Sequence, residues 1–136
     1  MRKSAFLLAA LVVAGCARDV DRRPAERAVA QFHGRLDAAQ YETIYDSAAA
    51  SFRNGVRRDT FLALLASVHG TLGAVKTTSE SHWTKKKRGD DGVDVTLDYT
   101  TSFASGDATE RFTWRLEGDR VELTSYDVSS KALAHN

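Results

Sequence analysis

The sequence contains little of what marks several common classes of protein. Its 136 residues include one cysteine, one proline and nearly equal numbers of basic and acidic side chains. A single cysteine excludes an internal disulfide and a zinc site with four thiolate ligands. The formal net charge of +1 lacks the strong basicity typical of nucleic-acid binders, so we expect no nucleic-acid partner. Hydrophobic residues make up 43% and charged residues 27%, a composition that fits one folded globular domain.

The chain also lacks an apolar run long enough to cross a bilayer. The longest run occupies residues 5–14, whereas a transmembrane helix needs about 20 apolar residues. It follows Arg2 and Lys3, and a basic start before a short apolar run is typical of a secretory signal peptide. We therefore predict an exported protein from which residues 1–15 are removed.

The apolar run ends in Val13-Ala14-Gly15-Cys16, which resembles the lipobox of bacterial lipoproteins. The resemblance implies cleavage before Cys16, a diacylglycerol on its sulfur and acylation of the new amino terminus, for example with palmitate. Two or more acyl chains hold a protein stably on a membrane. Because Ala17 follows the cysteine where inner-membrane lipoproteins carry aspartate, the resemblance also implies the outer membrane, facing the periplasm. A soluble secreted protein with a cysteine near its cleavage site is the alternative.

Removal of the signal peptide changes the charge balance. The chain from Cys16 onward has 121 residues with 17 basic and 18 acidic side chains, so no strong field steers an anionic partner toward it. We divide the sequence into a signal peptide (1–15), the lipidated cysteine and a tether (16–23), a folded domain (24–130) and a C-terminal tail (131–136).

Apolar residues recur every three or four positions in the first half of the mature chain, which predicts helices. We expect helices at Pro24–Ala38, 40–49 and 58–71, with Gly73 as the C-terminal cap of the third. Phe52, between the second and third helices, is expected to enter the core.

After Gly73 the apolar period changes to two, which predicts strands with one buried face. We expect four strands, at 74–87, 93–103, 111–116 and 121–128, joined as an antiparallel meander by loops at 104–107 and 117–120. In the first strand the odd positions from Val75 to Trp83 should face inward, and a bulge is expected near Ser125. The predicted cross-strand pairs are Tyr99 with Phe112, Leu97 with Trp114, and Trp114 with Leu123.

These elements predict an α+β domain in which three N-terminal helices pack on one face of a curved four-stranded antiparallel sheet. The stretches AVAQFHGRLDAAQYETIYDSAAASFR, RRDTFLALLASVHGTLGAVK and LTSYDVSS give residues 27–130 a likeness to a known family. This part of the chain resembles the nuclear transport factor 2-like superfamily, in its branch of small exported bacterial proteins. The resemblance implies a cone between helices and sheet, and it carries over no catalytic residue.

An enzyme of this fold would need an acid or base inside the cone. The predicted inward sheet positions carry no group that ionises near neutral pH, and Glu110, at a strand end, is expected to be solvated. We therefore expect a non-enzymatic module, without metal or cofactor, that binds a small ligand or a protein. The candidate pocket residues are Tyr45, Asp46, His69, Trp83, Tyr99, Phe112 and Trp114.

Two alternatives stay open at this point. A small-molecule isomerase, dehydratase or hydrolase would use Tyr45, Asp46 or His69 as its acid or base. A pocket of a few hundred Å³ between the second helix and the sheet would favour a ligand. A filled cone would instead favour a homodimer or a protein partner on the outer face of the sheet, which is rich in Thr, Asp and Arg.

Lys85-Lys86-Lys87-Arg88 is the one run of like charge in the sequence. On a lipid-anchored protein such a run is a candidate contact for an anionic membrane surface. The alternative, which we favour from the sequence, is a solvated hairpin tip whose charge is partly neutralised by Asp90 and Asp91 and whose lysines protect an edge strand.

Overall fold

The computed structural model describes residues 20–135. The predicted signal peptide, Cys16 and residues 17–19 lie outside this range, as does Asn136. Within it, the chain forms four α-helices, then four β-strands and a final 3-10 turn. The elements are α1 (Arg23–Asp37), α2 (Tyr41–Asp46), α3 (Ala50–Gly55), α4 (Arg58–Leu72), β1 (Val75–Arg88), β2 (Gly92–Phe103), β3 (Gly106–Glu117), β4 (Arg120–Ser129) and the turn Leu133–His135.

The helices α1 and α4 lie close to their predicted positions, but the region 40–55 differs from the prediction. There, two short helices replace the single predicted second helix, so the described chain has four helices rather than three. The break coincides with a tertiary contact: Ala49 is extended (φ −58°, ψ 148°), and its N–H donates to the carbonyl of Leu123 at 2.9 Å. This bond ties the chain to β4, and Phe52 enters the core from α3.

The strands form one open antiparallel sheet in the order β1-β2-β3-β4, and the helices cover one of its faces. Core residues come from α1, α4 and the inward positions of β2, β3 and β4. Among the most deeply buried side chains are Val29, Leu36, Leu65, Val68, Leu72, Val95, Leu97 and Phe112. Within residues 20–135 no helix has the length and apolar character needed to cross a membrane.

The pairing of β2 with β3 differs from the prediction by two residues. Tyr99 lies opposite Glu110 and Leu97 opposite Phe112, and not opposite Phe112 and Trp114 respectively. The turn contains only Ala104 and Ser105, whereas a four-residue loop was expected. Their N–H groups donate to the carbonyls of Ala74 and Leu72, so the end of α4 holds the tight turn in place.

Gly73 explains how α4 can meet this turn. It is the predicted C-cap, with φ at +78°, a conformation that glycine adopts at little cost. A Cβ at this position would lie 3.0 Å from the Cβ of Ala104. Position 73 therefore requires glycine both for its positive φ and for the lack of space for a Cβ atom.

The two edge strands contain irregularities, of which only one was predicted. In β4 the pairing with β3 shifts between Thr113 and Trp114, so that Thr124 is the extra residue, next to the expected position. The predicted pair of Trp114 with Leu123 is confirmed. In β1, shifts after Val75 and after Glu80 place Glu80 opposite Tyr99, so Ser79 and Ser81 do not face inward as predicted.

Candidate functional site

A cleft of about 530 Å³ opens between α1, the end of α2 and the β3–β4 hairpin. Its lining combines apolar side chains from the core with polar ones at the rim. The lining residues are Pro24, Arg27, Ala28, Gln31, Phe32, Arg35, Ile44, Ser47, Trp114, Leu116, Gly118, Asp119, Val121 and Leu123. This volume lies within the range typical of small-molecule sites in proteins.

The local sequence of α1 explains why the cleft exists. Residues 24, 28 and 35 fall on one side of the helix, next to the stripe that packs in the core. Ala28 is small and leaves space above the sheet, while Leu116 and Val121 of the hairpin remain only half-buried. The β3–β4 hairpin therefore extends past the helix layer, and the space between α1 and the hairpin stays open.

Trp114 contributes the largest side chain of the cleft. It is 6% exposed, and its indole stacks on the ring of Phe112 with a centroid distance of 6.0 Å and an interplanar angle of 10°. Its Nε1 is shielded from solvent and has no hydrogen-bond partner in the described part of the chain. Because buried N–H groups are normally paired, this one is an exception that calls for an explanation.

The rim of the cleft carries charge of both signs. Arg27 and Arg35 come from α1, and Asp119 comes from the β3–β4 turn. The Nη1 of Arg35 donates to the Oγ of Ser47 at 3.2 Å. Arg27 is exposed and forms no ion pair with any residue between 20 and 135. Two guanidinium groups on one side of the opening can attract an anionic group on a ligand.

A second polar group, Glu110, lies deeper on the same face of β3. It is 2% exposed and accepts three hydrogen bonds from three different elements. The Nε2 of His33 lies 2.8 Å from Oε1, the Oγ1 of Thr101 lies 2.6 Å from Oε1, and the hydroxyl of Tyr126 lies 2.6 Å from Oε2. The four side chains form a closed network in the core, which we call the Glu110 cluster.

The hydrogen bonds of the Glu110 cluster affect the pKa values of Glu110 and Tyr126. Burial raises the pKa of the Glu110 carboxyl, but the hydrogen bonds from His33, Thr101 and Tyr126 outweigh it, and the net pKa lies below its usual range. An ionised carboxylate can only accept hydrogen bonds, so the Nε2–H of His33 is the donor in its bond to Glu110. Burial, with the charge of Glu110, raises the pKa of the Tyr126 phenol, which therefore stays a donor.

The prediction that Glu110 is solvated and that no ionisable group faces inward is wrong. Glu110 was placed on the inward side but at a strand end, where solvent was expected. In the structure β4 and α1 cover that end, and Val128 of β4 lies directly opposite Glu110. The one signal of this burial in the sequence is that Glu110 falls on the inward side of the alternation in β3. Its partner His33 gives no local signal, since it is 77 positions away.

Comparison with known proteins identifies the family. A family model described as "Protein of unknown function (DUF4019)" matches residues 28–126, which include the Glu110 cluster and most of the cleft. The chain belongs to the DUF4019 family. A comparison with curated proteins finds no match.

One solved structure shares the fold of this DUF4019 chain. It is described as "Structure of Bdellovibrio bacteriovorus Bd1075", and it superposes with a TM-score of 0.51 at 11% sequence identity. The match covers 81% of the chain described here and 41% of that protein, so the DUF4019 chain corresponds to less than half of it. At this identity the likeness concerns the fold alone.

The residues named for an enzyme do not form a site together in the DUF4019 chain. The hydroxyl of Tyr45 donates to the carbonyls of Arg53 and Val56 at 3.0 and 2.7 Å, and Asp46 pairs with Arg58 at the surface. The Nδ1 of His69 is buried without a partner among the described residues. None of the three enzyme candidates lines the cleft.

Of the other candidate pocket residues, only Trp114 lines the cleft. Phe112 is fully buried beneath it. The ring of Tyr99 packs edge-on against Phe112 at a centroid distance of 6.0 Å, and burial raises the pKa of its phenol. Trp83 of β1 stacks against the guanidinium of Arg22 at 4.7 Å.

The outer face of the sheet is polar, and its main charges are paired within the sheet. Arg111 holds Asp98 through two bonds of 2.7 and 3.0 Å. Asp94 accepts from Arg88 at 2.7 Å and from Arg115 at 2.8 Å. Burial raises the pKa of Asp94, but these two arginines outweigh it and lower the net value. No group of three metal-binding side chains occurs anywhere in the range 20–135.

Proposed function

We propose that this protein is an exported, lipid-anchored binding module of nuclear transport factor 2-like architecture, and that its cleft holds a small amphipathic ligand. The observation that carries the proposal is the open cleft of about 530 Å³ between α1 and the β3–β4 hairpin. A pocket of this size favours a ligand over a protein partner, although it was expected between the second helix and the sheet and instead lies along α1, reaching only the end of α2.

The lining indicates the chemistry of the ligand. Phe32, Leu116 and Leu123 offer an apolar floor, whereas Arg27 and Arg35 stand at the rim. A ligand with an apolar body and an acidic or carbonyl end would bury the body and pair the end with a guanidinium group. A small rotation of the Trp114 indole would let its Nε1 donate to an acceptor on the same ligand, which accounts for its lack of a partner.

Binding fits the interior better than catalysis does. Glu110 is the ionised group nearest the centre of the domain, but its two oxygens already accept three hydrogen bonds and its side chain is out of solvent. A general base must reach the proton that it removes. On the outer sheet face, Asp98 and Asp94 are paired with arginines, and these pairs leave fewer free charges there to recruit a protein.

The anchoring part of the proposal rests on the sequence Val13-Ala14-Gly15-Cys16. With the lipid on Cys16, the domain stays on the membrane surface, and Ala17, at the position where inner-membrane lipoproteins carry aspartate, favours the outer membrane, facing the periplasm. The intact mass of the protein extracted from bacterial membranes tests this: cleavage before Cys16 and the mass of three acyl chains are expected, and an unmodified Cys16 would overturn it.

The cleft is tested with a fluorescent probe that has the proposed chemistry, anilinonaphthalene sulfonate, on the chain that begins at Cys16. The two tryptophans provide a matched pair of variants. Trp83→Phe leaves Trp114 as the sole indole, so binding in the cleft should change its emission and transfer energy to the dye. Trp114→Phe should weaken binding. Equal binding by both variants, with no change in Trp114 emission, would contradict the site.

A further inference from the structure

One end of the domain brings together three separate segments. The β1–β2 turn and the β3–β4 turn lie side by side, because Arg88 pairs with Gly92, Gly92 with Glu117, and Glu117 with Arg120 across the sheet. The chain enters the domain at the same end, since Val20 lines a shallow cleft together with Lys85 and Lys87 of the β1–β2 hairpin. We call this region the entry end.

The entry end fixes how far the domain lies from its proposed anchor. Val20 is half-buried against the core, and it follows Cys16 by four positions in the sequence. Residues 16–19 span at most about 14 Å when fully extended. A membrane that holds Cys16 is therefore within reach of the basic hairpin, while the opposite end of the sheet lies a full strand length further away.

The entry end also carries basic groups that its own acidic residues do not pair. Lys86 and Lys87 form no ion pair with any residue of the described chain, and both are exposed. Arg88 forms an ion pair with Asp94, and Asp94 also forms one with Arg115. Asp90 and Asp91 occupy the turn and oppose part of this charge, so their removal should have the opposite effect to removal of the lysines.

We propose that the entry end docks on an anionic lipid surface, with Lys85–Arg88 against the phospholipid head groups. The inference rests on the proposed anchoring at Cys16 and adds an orientation to it. The cleft reaches the same end through Pro24, Gly118 and Asp119. Docking in this orientation brings one end of the cleft to the head groups, where an amphipathic ligand can pass between bilayer and protein.

The unique cysteine permits a direct test. The chain from Cys16 is coupled through its thiol to a maleimide lipid, in vesicles of phosphatidylcholine alone or with phosphatidylglycerol added, and amide hydrogen exchange is followed in the β1–β2 turn. This coupling supplies the anchor chemically, so failure of docking is separate from failure of lipidation in the cell, which the intact mass reports.

We expect exchange in the turn to slow by about fivefold or more on phosphatidylglycerol, the effect of roughly one basic residue near an anionic surface. The protection should vanish at high salt and in the variant Lys85→Ser, Lys86→Ser, Lys87→Ser, Arg88→Ser. It should increase in Asp90→Asn, Asp91→Asn.

A second fourfold variant serves as the charge-matched control. It removes the same net charge away from the entry end and should keep the protection: Arg53→Ser, Arg57→Ser, Lys76→Ser, Lys131→Ser. Equal exchange on the two vesicle types would overturn the proposal. Equal loss of protection in both fourfold variants would also overturn it, since net charge and not the entry end would then be responsible.

Discussion

Glu110 and Trp114 lie four residues apart on the inner face of β3, but they differ in whether their buried polar atoms have hydrogen-bond partners. Each oxygen of Glu110 accepts at least one hydrogen bond from another element. The indole nitrogen of Trp114 has none within residues 20–135. The first position is closed over by α1 and β4, while the second borders an open cleft.

The difference reflects how costly each polar group is to bury. A buried carboxylate is tolerated only when its lone pairs are satisfied, because the cost of an unpaired buried charge is large. A single N–H costs far less when left without a partner. The Glu110 cluster is therefore part of the core, whereas the unpaired indole N–H of Trp114 is compatible with the proposed ligand site.

The largest effect is expected from breaking the closed end. Glu110→Ala leaves Thr101, Tyr126 and His33 without their shared acceptor and opens a cavity, so the free energy of unfolding should fall by about 3–5 kcal/mol. Glu110→Gln keeps the shape but loses the charge, and should cost about 1–3 kcal/mol. Chemical denaturation measures both.

Asp98→Asn is the matched control on the other face of the sheet. Asp98 also binds its partner through two hydrogen bonds, but Arg111 is exposed to water, so the cost should stay below about 1 kcal/mol. If Glu110→Gln proved as mild as Asp98→Asn, the closed network would not be structural and the contrast with Trp114 would fail.

The charge of Glu110 also predicts a dependence on pH. Because its pKa is lowered in the folded state, the ionised carboxylate stabilises the fold above the ordinary carboxyl range, and this stability is lost as the pH falls through the folded pKa. The difference in unfolding free energy between the wild type and Glu110→Gln should therefore shrink on acidification from neutral pH. A difference that stayed constant would contradict an ionised Glu110.

The sequence predicts one of these two positions better than the other. The alternation in 111–116 already gave Trp114 its inward direction and its pairing with Leu123, which the structure confirms. Glu110 shares that phase, but its burial depends on His33, Thr101 and Tyr126. These partners are brought to it by three other elements, and no local pattern encodes such a meeting.

The other errors have the same origin in tertiary contacts. The segment 40–49 was predicted as one helix, but α2 ends at Asp46 and Ala49 donates its N–H to β4. The predicted β2–β3 register was wrong by two residues because the short turn at Ala104 and Ser105 is held by hydrogen bonds to the end of α4. The composition of the turn does not reveal these bonds. Periodicity found α1, α4 and the strands, since each exposes one face to a core and the other to water.

An intermediate effect is expected from the open end. Trp114→Phe removes the indole N–H and leaves space, which should lower the unfolding free energy by about 1–2 kcal/mol. Its larger consequence is for anilinonaphthalene sulfonate, whose affinity should fall by about tenfold through the lost hydrogen bond and contact area. Titration by dye fluorescence measures this. Unchanged affinity would show that the indole N–H lacks a hydrogen-bond partner without taking part in ligand binding.

The smallest effect is expected at the rim. Arg27 is exposed and unpaired within the described chain, so Arg27→Ser should leave stability unchanged and weaken binding of the sulfonate dye by about fivefold, as one exposed charge–charge contact would. Arg57→Ser, at the N-cap of α4, removes the same charge at a residue that does not line the cleft and should not alter binding. Raising the salt concentration should reduce the difference between these two variants, because exposed charges are screened. Equal affinities at low salt would show that the cleft holds the dye by its apolar floor alone, and would move the recognition of the acidic end from Arg27 to Arg35.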